Sequence, residues 1–433
     1  MRPARPRHIF KSLAFIAFTD GEMPVVYVGW SLEYEMYFYL TVALLMAATR
    51  DVWRNIVVIF SALAIVRRIP GVDQALGNYA FFVDPIILAF EDAMNSGRLT
   101  KAVELITRVA VGLPTRGARF PVAEYHRMVD EGALIVMGPG ASDNAVILKE
   151  HIEAREVPAV GVVGTSQFVG EYCFTLPNGG HGEEAALVAN YLAQQGYRRI
   201  ALFGEHGGTG DTEYRNWFAD QARMQGLQIV FEHLLERRPA DGELDPILID
   251  VRERIAPDAL VYMGTGWTTP AYNAALGRIG WDPPRVCNAA FMWAPHDEAW
   301  MRALEGWTGV DQLTGPEGPD ANLNYNSLLD RFEARFGRRV DHVVIALGYD
   351  LGRVVAEAIV NAPMMSGRGM KLGLERIKMF PSAIGGARTH ITFGAQDHRG
   401  YKGDFLVMRQ LVNQRYVYRG GLEPRHRVGD ADQ

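Results

Sequence analysis

The chain has 433 residues, of which 48% are hydrophobic and 22% are charged, and its formal net charge is −6. This length predicts two or three domains with a large core, and the mildly acidic balance argues against a nucleic-acid partner. The two cysteines, Cys173 and Cys287, form no metal-binding spacing. They would pair only in an oxidising compartment, and burial statistics favour two buried thiols.

The first 68 residues differ in character from the rest. A basic start and a short apolar stretch are followed by polar residues rather than by the small residues of a cleavage site, so the segment is a poor signal peptide. Two later apolar runs, 36–48 and 55–66, are shorter than the roughly twenty residues that a spanning helix needs. Membrane contact through this segment stays an open hypothesis.

From residue 84 onward, helical and strand patterns alternate along the chain. The predicted order is helix 84–95, strand 103–111, helix 121–131, strand 133–137, helix 144–155, strand 159–163, helix 182–195, strand 199–203, helix 212–224, strand 228–231, helix 247–255, strand 259–263, helix 270–279 and strand 285–292. Such alternation is typical of parallel βαβ units, and two series predict two lobes.

The order changes after residue 300. We predict a loop over 306–321, helices over 324–336, 343–361 and 372–379, a terminal hairpin of 389–393 with 401–411, and a frayed polar tail over 421–433.

Two apolar runs near the middle of the chain carry the strongest functional signal. Residues 133–137 and 159–163 read as strands buried on both faces, and both end in small or hydroxyl-bearing residues. Ligands of open α/β sheets lie beyond the carboxyl ends of such strands, so the pattern predicts a binding cleft. Ser142, Thr165 and Ser166 are equally suited to be helix N-caps, and the two roles are compatible.

From about residue 84 to 419, the sequence resembles the type I periplasmic solute-binding proteins of the leucine/isoleucine/valine and amide-binding group. The matching stretches, in the family's order, are ILAFEDAMNSGRL, VDEGALIVMGPGASDNA, VPAVGVVGT, GEYCFTLPNGG, YLAQQGYRRIALFGE and ITFGAQDHRGYKGDFLVMRQ. The resemblance implies an α/β fold with two doubly wound parallel-sheet lobes, preceded here by a short apolar helical segment. Lobe I would comprise 69–175 with 300–360, and lobe II 176–299 with 361–420.

The resemblance also implies which residues hold the solute. In such proteins, hydroxyls and amides after strands of lobe I, and groups after strands of lobe II, contact the ligand. The corresponding positions in this chain are Gly140, Ala141, Ser142, Gly164, Thr165, Ser166, Glu205, Thr209, Tyr214, Thr265 and Trp267.

The implied function is binding of a small polar solute, such as an amino acid, an amide or a urea-like molecule. The protein would be the substrate-binding component of an ABC transporter in the periplasm or cell envelope, with a permease as partner, no cofactor and no enzymatic activity. A metal site is not indicated, because His181 with Glu183 and Glu184, and Glu205 with His206, lack zincin spacing. No Gly-x-Ser-x-Gly elbow indicates a nucleophile.

Residues 1–68 carry a second resemblance. Trp30-Ser31-Leu32, Glu35 and Phe38-Tyr39 are similar to a signature of the membrane acyltransferases that O-acylate sugars. The match covers a small part of that family and lacks its catalytic base, so a vestigial Glu35 is favoured over an active one. The alternative function is therefore a membrane O-acyltransferase fragment, attached to the membrane through the N-terminal segment and fused to a solute-sensing domain.

Overall fold

A computed structural model describes residues 80–108, 110, 112, 117–206, 208–237, 239–266, 268–293, 298–315 and 321–421. The elements from Asp84 onward belong to one compact unit, Asp84–Gln433. The predictions made for residues 1–68, including the acyltransferase-like signature and the two apolar runs 36–48 and 55–66, lie outside the described residues.

The first sheet is small and parallel. It consists of β1 (Val136–Met137), β2 (Ala159–Gly161) and β3 (Cys173–Thr175) in the order β1-β2-β3. Its strands are mostly buried and apolar, which is typical of parallel strands covered on both faces.

The second sheet has seven strands in the order β13-β12-β8-β7-β6-β4-β5. Their bounds are β4 (Arg199–Glu205), β5 (Gln228–Leu235), β6 (Ala259–Tyr262), β7 (Arg285–Cys287), β8 (Thr308–Asp311), β12 (Val407–Val412) and β13 (Arg415–Gly421). The five strands from β8 to β5 are parallel, and β12 and β13 add an antiparallel hairpin at one side.

A third sheet, antiparallel and short, lies beside the first. It contains β9 (Phe380–Pro381), β10 (His390–Ile391) and β11 (Tyr401–Lys402). A bridge between Thr175 and Arg399 joins this segment to the end of β3. The 361–402 stretch therefore contacts the first sheet, whereas 407–421 belongs to the second.

The helices cover the sheets and follow the predicted pattern. They are α1 (Ala80–Asn95), α2 (Arg119–Asp130), α3 (Ser142–Arg155), α4 (His181–Gln194), α5 (Thr209–Met224), α6 (Asp245–Asp250), α7 (Thr269–Arg278), α8 (Glu298–Ala303), α9 (Leu323–Phe336), α10 (Val343–Asn361) and α11 (Gly367–Glu375). A π-helical turn, Val251–Ile255, continues α6. Helix α9 illustrates the local signals: the Asn322 side chain accepts from the backbone N–H groups of Asn324 and Tyr325, and Gly337 ends the helix with a left-handed φ of 70°.

The core of the second sheet is aromatic. Tyr262 packs edge-on against Tyr272 and Trp307, and Phe203 packs in the same way on Tyr272. Both cysteines are free and buried, as expected. Cys287 belongs to this cluster, and Cys173 to the smaller core around β2.

Several local predictions were wrong. The described residues of 103–111 form no strand, and Leu105 and Ile106 are 38% and 40% exposed, so their apolar side chains have no sheet to join. The predicted strand 285–292 ends at Cys287 and continues as a 3₁₀ helix, Ala289–Trp293.

The predictions for the segment after residue 305 also differ from the structure. The predicted loop 306–321 contains β8, which pairs with β7 and β12. Because β8 lies in the second sheet, its place differs from the predicted return of 300–360 to lobe I. The predicted pairing of 389–393 with 401–411 is present only as the short antiparallel pair of β10 with β11, and the last hairpin described is Val407–Val412 with Arg415–Gly421. The lobe boundaries themselves stay a prediction.

The close packing of β8 gives a test of its position. A Cβ atom on Gly309 would overlap the Phe291 side chain, whereas a Cβ on Gly277, in α7, would meet nothing within 4 Å. We expect Gly309→Ala to lower the free energy of unfolding by about 1–3 kcal/mol. Gly277→Ala should be neutral or stabilise by up to about 1 kcal/mol, because alanine favours helix. Urea denaturation measures both, and equal stability of the two variants would contradict the packing of β8.

Candidate functional site

Thr165 lies just beyond β2, in the loop that the sequence singled out. Its side chain is fully buried and caps the 3₁₀ helix Ser166–Phe168, since Oγ1 accepts from the Gln167 N–H at 3.1 Å. The same hydroxyl donates to Glu213 Oε1 at 2.9 Å. The capping alternative is therefore correct for Thr165, and its proton is directed to a carboxylate on helix α5. Gly164 is buried beside it, and Ser166 is exposed.

The loop beyond β1 contributes through a residue that the sequence did not single out. Gly140 is exposed. Helix α3 begins at Ser142, and both Ser142 and the preceding Ala141 are half-buried. Asp143 follows, and its Oδ1 accepts from the backbone N–H of Thr209 at 2.6 Å. Thr209 is the first residue of α5, so the acidic side chain meets the positive end of that helix.

Glu213 is the centre of the contacts between these loops and α5. Besides Thr165, its carboxylate accepts from Gln167 Nε2 at 2.5 Å and lies 2.5 Å from His181 Nδ1. Burial by itself would raise the pKa of Glu213, but hydrogen bonds from His181, Gln167 and Thr165 outweigh burial and hold it below its ordinary value.

His181 begins helix α4 and is buried between the two sets of loops. Its ring centroid lies 4.1 Å from that of Tyr214, and a Cβ on Gly164 would be 2.7 Å from its Cδ2 atom. Glycine at position 164 therefore makes room for the imidazole. The Tyr214 hydroxyl donates to Glu184 at 3.2 Å.

Glu205 occupies a different position, at the end of β4. Its buried carboxylate accepts from the Tyr262 hydroxyl, the Thr265 N–H at 3.0 Å, and both the N–H (3.1 Å) and the hydroxyl (2.8 Å) of Thr268. Burial raises its pKa, and the hydrogen bonds from Tyr262 and Thr268 oppose that rise. These bonds hold Thr265 and Thr268 in place beside the end of β4.

The structure thus brings the predicted residues together in two groups. Thr165, Thr209 and Tyr214 meet around Glu213, His181 and Asp143, while Glu205 and the backbone of Thr265 form the second group. The Thr265 side chain is exposed, and Trp267 lies outside the described residues. Asp143 and Glu213 were missed because an acid early in a helix reads as helix stabilisation.

The described residues were also compared with the requirements of a metal site and of a membrane-spanning helix. Within the described ranges, no cluster of three or more His, Cys, Asp or Glu side chains is arranged to hold a metal ion. Of the helices described, none combines the length and hydrophobicity needed to cross a bilayer.

The sequence profile of the periplasmic binding protein family matches residues 88–411. The chain belongs to this family. The match confirms the resemblance and the α/β fold of the type I proteins. It leaves out residues 1–66, and the acyltransferase-like prediction gains no support from it. No curated protein sequence shows significant similarity to the chain.

Solved structures of the same fold cover most of the chain. The leucine-binding protein LivK of Thermotoga maritima is 18% identical, with a TM-score of 0.65 over 80% of this chain and 96% of that one. An ABC transporter substrate-binding protein of Desulfitobacterium hafniense, in complex with Leu, is 18% identical, with a TM-score of 0.64 over 78% and 95%. A type 1 periplasmic binding protein of Bordetella pertussis is 18% identical, with a TM-score of 0.63 over 79% and 96%.

The four donors around Glu205 predict a positioning role. We expect Glu205→Gln to lower the free energy of unfolding by about 1–3 kcal/mol, because the carboxamide N–H₂ would face other donors. Thr265→Ala keeps the backbone N–H and should change stability by less than about 0.5 kcal/mol. Urea denaturation compares the two, and a Glu205→Gln protein of wild-type stability would contradict this role.

The lowered pKa of Glu213 predicts a pH dependence. Its charged form stabilises the folded protein above the unfolded-state pKa of about 4.3, and this contribution is lost as the pH falls through the lower folded value. We expect Glu213→Gln to cost about 1–3 kcal/mol near neutral pH and progressively less below about pH 4.

Urea denaturation of both proteins across this pH range measures the difference. The control is Glu253→Gln, which removes an exposed carboxylate. A deficit of Glu213→Gln that does not change with pH would show that the charge of Glu213 is not what stabilises the fold.

Proposed function

We propose that the protein binds a small polar solute, such as an amino acid, an amide or a urea-like molecule, in a cleft between two lobes. Membership of the periplasmic binding protein family supports this function and a place in the periplasm. The solute would be delivered to an ABC permease. The Desulfitobacterium hafniense protein named above, an ABC transporter substrate-binding protein in complex with Leu, is a precedent for this role.

One observation carries the proposal: the loops at the carboxyl ends of two parallel sheets meet. Thr165, beyond β2 of the first sheet, bonds Glu213, and Asp143, beyond β1, bonds the backbone of Thr209. Glu213 and Thr209 lie on the helix that follows β4 of the second sheet. Because ligands of such sheets lie at these strand ends, a solute at this junction would contact both lobes.

The segments that pass between the sheets are suited to act as a hinge. Gln312, directly after β8, is fully buried and accepts from the Gly179 N–H at 3.0 Å. Its side-chain amide donates to the Pro177 carbonyl at 2.9 Å, and its own carbonyl accepts from the Gly385 N–H at 2.7 Å. Three chain segments are thus held side by side at one point, about which two lobes can turn.

The same geometry favours binding over catalysis. His181, the histidine at the junction, is bonded to the Glu213 carboxylate, and the Thr165 hydroxyl donates to that carboxylate as well. A nucleophile must be presented to its substrate, but the Thr165 side chain is fully buried and its oxygen also accepts from the Gln167 N–H.

A thermal-shift titration of the full chain tests the proposal. We expect at least one member of a panel of amino acids, amides and ureas to raise the melting temperature by a few degrees, since ligand at 100 times its Kd stabilises by about 2.7 kcal/mol.

A substitution at the end of a strand locates the site. Gly140 is exposed and a Cβ there meets nothing within 4 Å, so Gly140→Leu should fold and weaken binding by about tenfold or more.

The matched control is Gly117→Leu. Gly117 is also exposed, and its added Cβ would come no closer than 3.9 Å to Arg119. This variant should bind as the wild type does. A panel without any stabilising solute would contradict the proposed function, and equal binding by both leucine variants would place the site elsewhere.

A further inference from the structure

The hydroxyl at the predicted ligand position already bonds a carboxylate of the protein. We propose that Glu213 makes the cleft select against solutes that carry a carboxylate, and in favour of solutes that present N–H groups there, such as amides and amines. This inference rests on the proposed function, because it names the class of solute that the same cleft accepts.

The hydrogen bonds of Glu213 give the first step. Its Oε1 atom accepts from Thr165 Oγ1 at 2.9 Å and from Gln167 Nε2 at 2.5 Å, and its Oε2 atom lies 2.5 Å from His181 Nδ1. A solute carboxylate at this position would compete with Glu213 for these donors. Such a solute would have to displace Glu213 and leave its partly buried charge without partners.

The surrounding charges give the second step. Asp143 and Asp211 both lie against Gly208, where an added Cβ would be 3.1 Å from Asp143 Oδ2 and 3.3 Å from Asp211 Oδ2. Glu213 is on the same helix turn as Asp211. The negative charges of these side chains disfavour the binding of an anionic solute, and the repulsion is larger where water is excluded.

The positively charged side chains near Asp143, Asp211 and Glu213 do not outweigh the negative charge of these three carboxylates. His181 is bonded to Glu213, and Arg215 Nη1 is 3.5 Å from Glu232. Arg399, which reaches the start of helix α4, pairs with Glu183 at 2.7 Å. Three carboxylates on the two facing helices thus stand against one histidine and two arginines, each of which has another acidic partner. Lys149 on α3 donates to the backbone carbonyls of Gln167 and Val169.

An unused acceptor gives independent support. Asp211 is 6% exposed, and its Oδ2 atom accepts from the Gly208 N–H at 3.1 Å. Its Oδ1 atom is buried and has no hydrogen-bond partner. A buried carboxylate oxygen without a donor is costly, and an N–H group of a solute is the partner that it lacks. Asp211 therefore adds an acceptor, and not a donor, to the first turns of the helix that carries Glu213.

Matched pairs of solutes test the inference on the full chain. The pairs are leucine with leucinamide, alanine with alaninamide, and butyrate with butyramide, each titrated calorimetrically against wild type, Glu213→Gln and Glu253→Gln. In wild type, the amide of a pair should bind about tenfold tighter or more than its carboxylate. Glu213→Gln should reduce that ratio to about threefold or less, and Glu253→Gln, an exposed change of the same charge, should leave it unaltered.

The outcomes separate this inference from the proposed function. If carboxylate and amide bind equally, or if Glu213→Gln leaves the ratio unchanged, Glu213 only joins the lobes and the inference is overturned while the binding function stands. Failure of every amide to bind also overturns it. If the amino acids, amides and ureas of the thermal-shift panel fail as well, the proposed function falls with it.

Discussion

Four buried carboxylates determine where distant parts of this chain meet. Glu184, Glu205, Asp311 and Asp350 are buried, and each accepts hydrogen bonds from backbone N–H groups. The bonds link Glu184 to Ala289, Glu205 to Thr268 and Asp350 to Ala383. Asp311 accepts from the nearby Leu313 N–H and from the distant Arg409 guanidinium. A charge removed from water is tolerated only where donors replace the water, so each carboxylate fixes the loop that supplies them.

The bonds of Glu213 differ from these, because they join loops of one sheet to a helix of the other. Glu184 and Glu205 bind groups of the second sheet's own loops and helices, and so make that half of the structure rigid. Glu213 bonds Thr165 and Gln167, which follow a strand of the first sheet. Glu213 is also less deeply buried than Glu205, so water can replace its partners at a lower cost when the two sets of loops separate.

The sequence was sufficient for the alternation of helices and strands and for the family. Continuous apolar runs and glycine stops predicted most helices within a few residues, and helix α10, Val343–Asn361, agrees with its predicted bounds. Strand pairing is decided by partners far away in the chain, which local pattern does not contain. Residues 103–108 were therefore given a sheet that the structure does not provide, and β8 was overlooked among glycines, prolines and aspartates.

The same distinction applies to the candidate site: residues with a local signal were predicted, and residues whose role depends on distant partners were not. Thr165 and Thr209 were found because they directly follow a strand or begin the next helix. Asp143 and Glu213 were not, because a carboxylate early in a helix has a sufficient local explanation. Only the fold shows that these two acids face donors on another element.

The hairpin of β12 and β13 has a consequence for how the protein is assembled. Strand β8 is enclosed on one side by β7 and on the other by β12, about a hundred residues later in the chain. Until β12 is in place, β8 exposes an unpaired edge, and Asp311 at its end lacks the guanidinium of Arg409. The second sheet is therefore complete only once residues 407–421 have joined it. Such non-local pairing slows folding and leaves time for a partly folded chain to be held or moved before it becomes rigid.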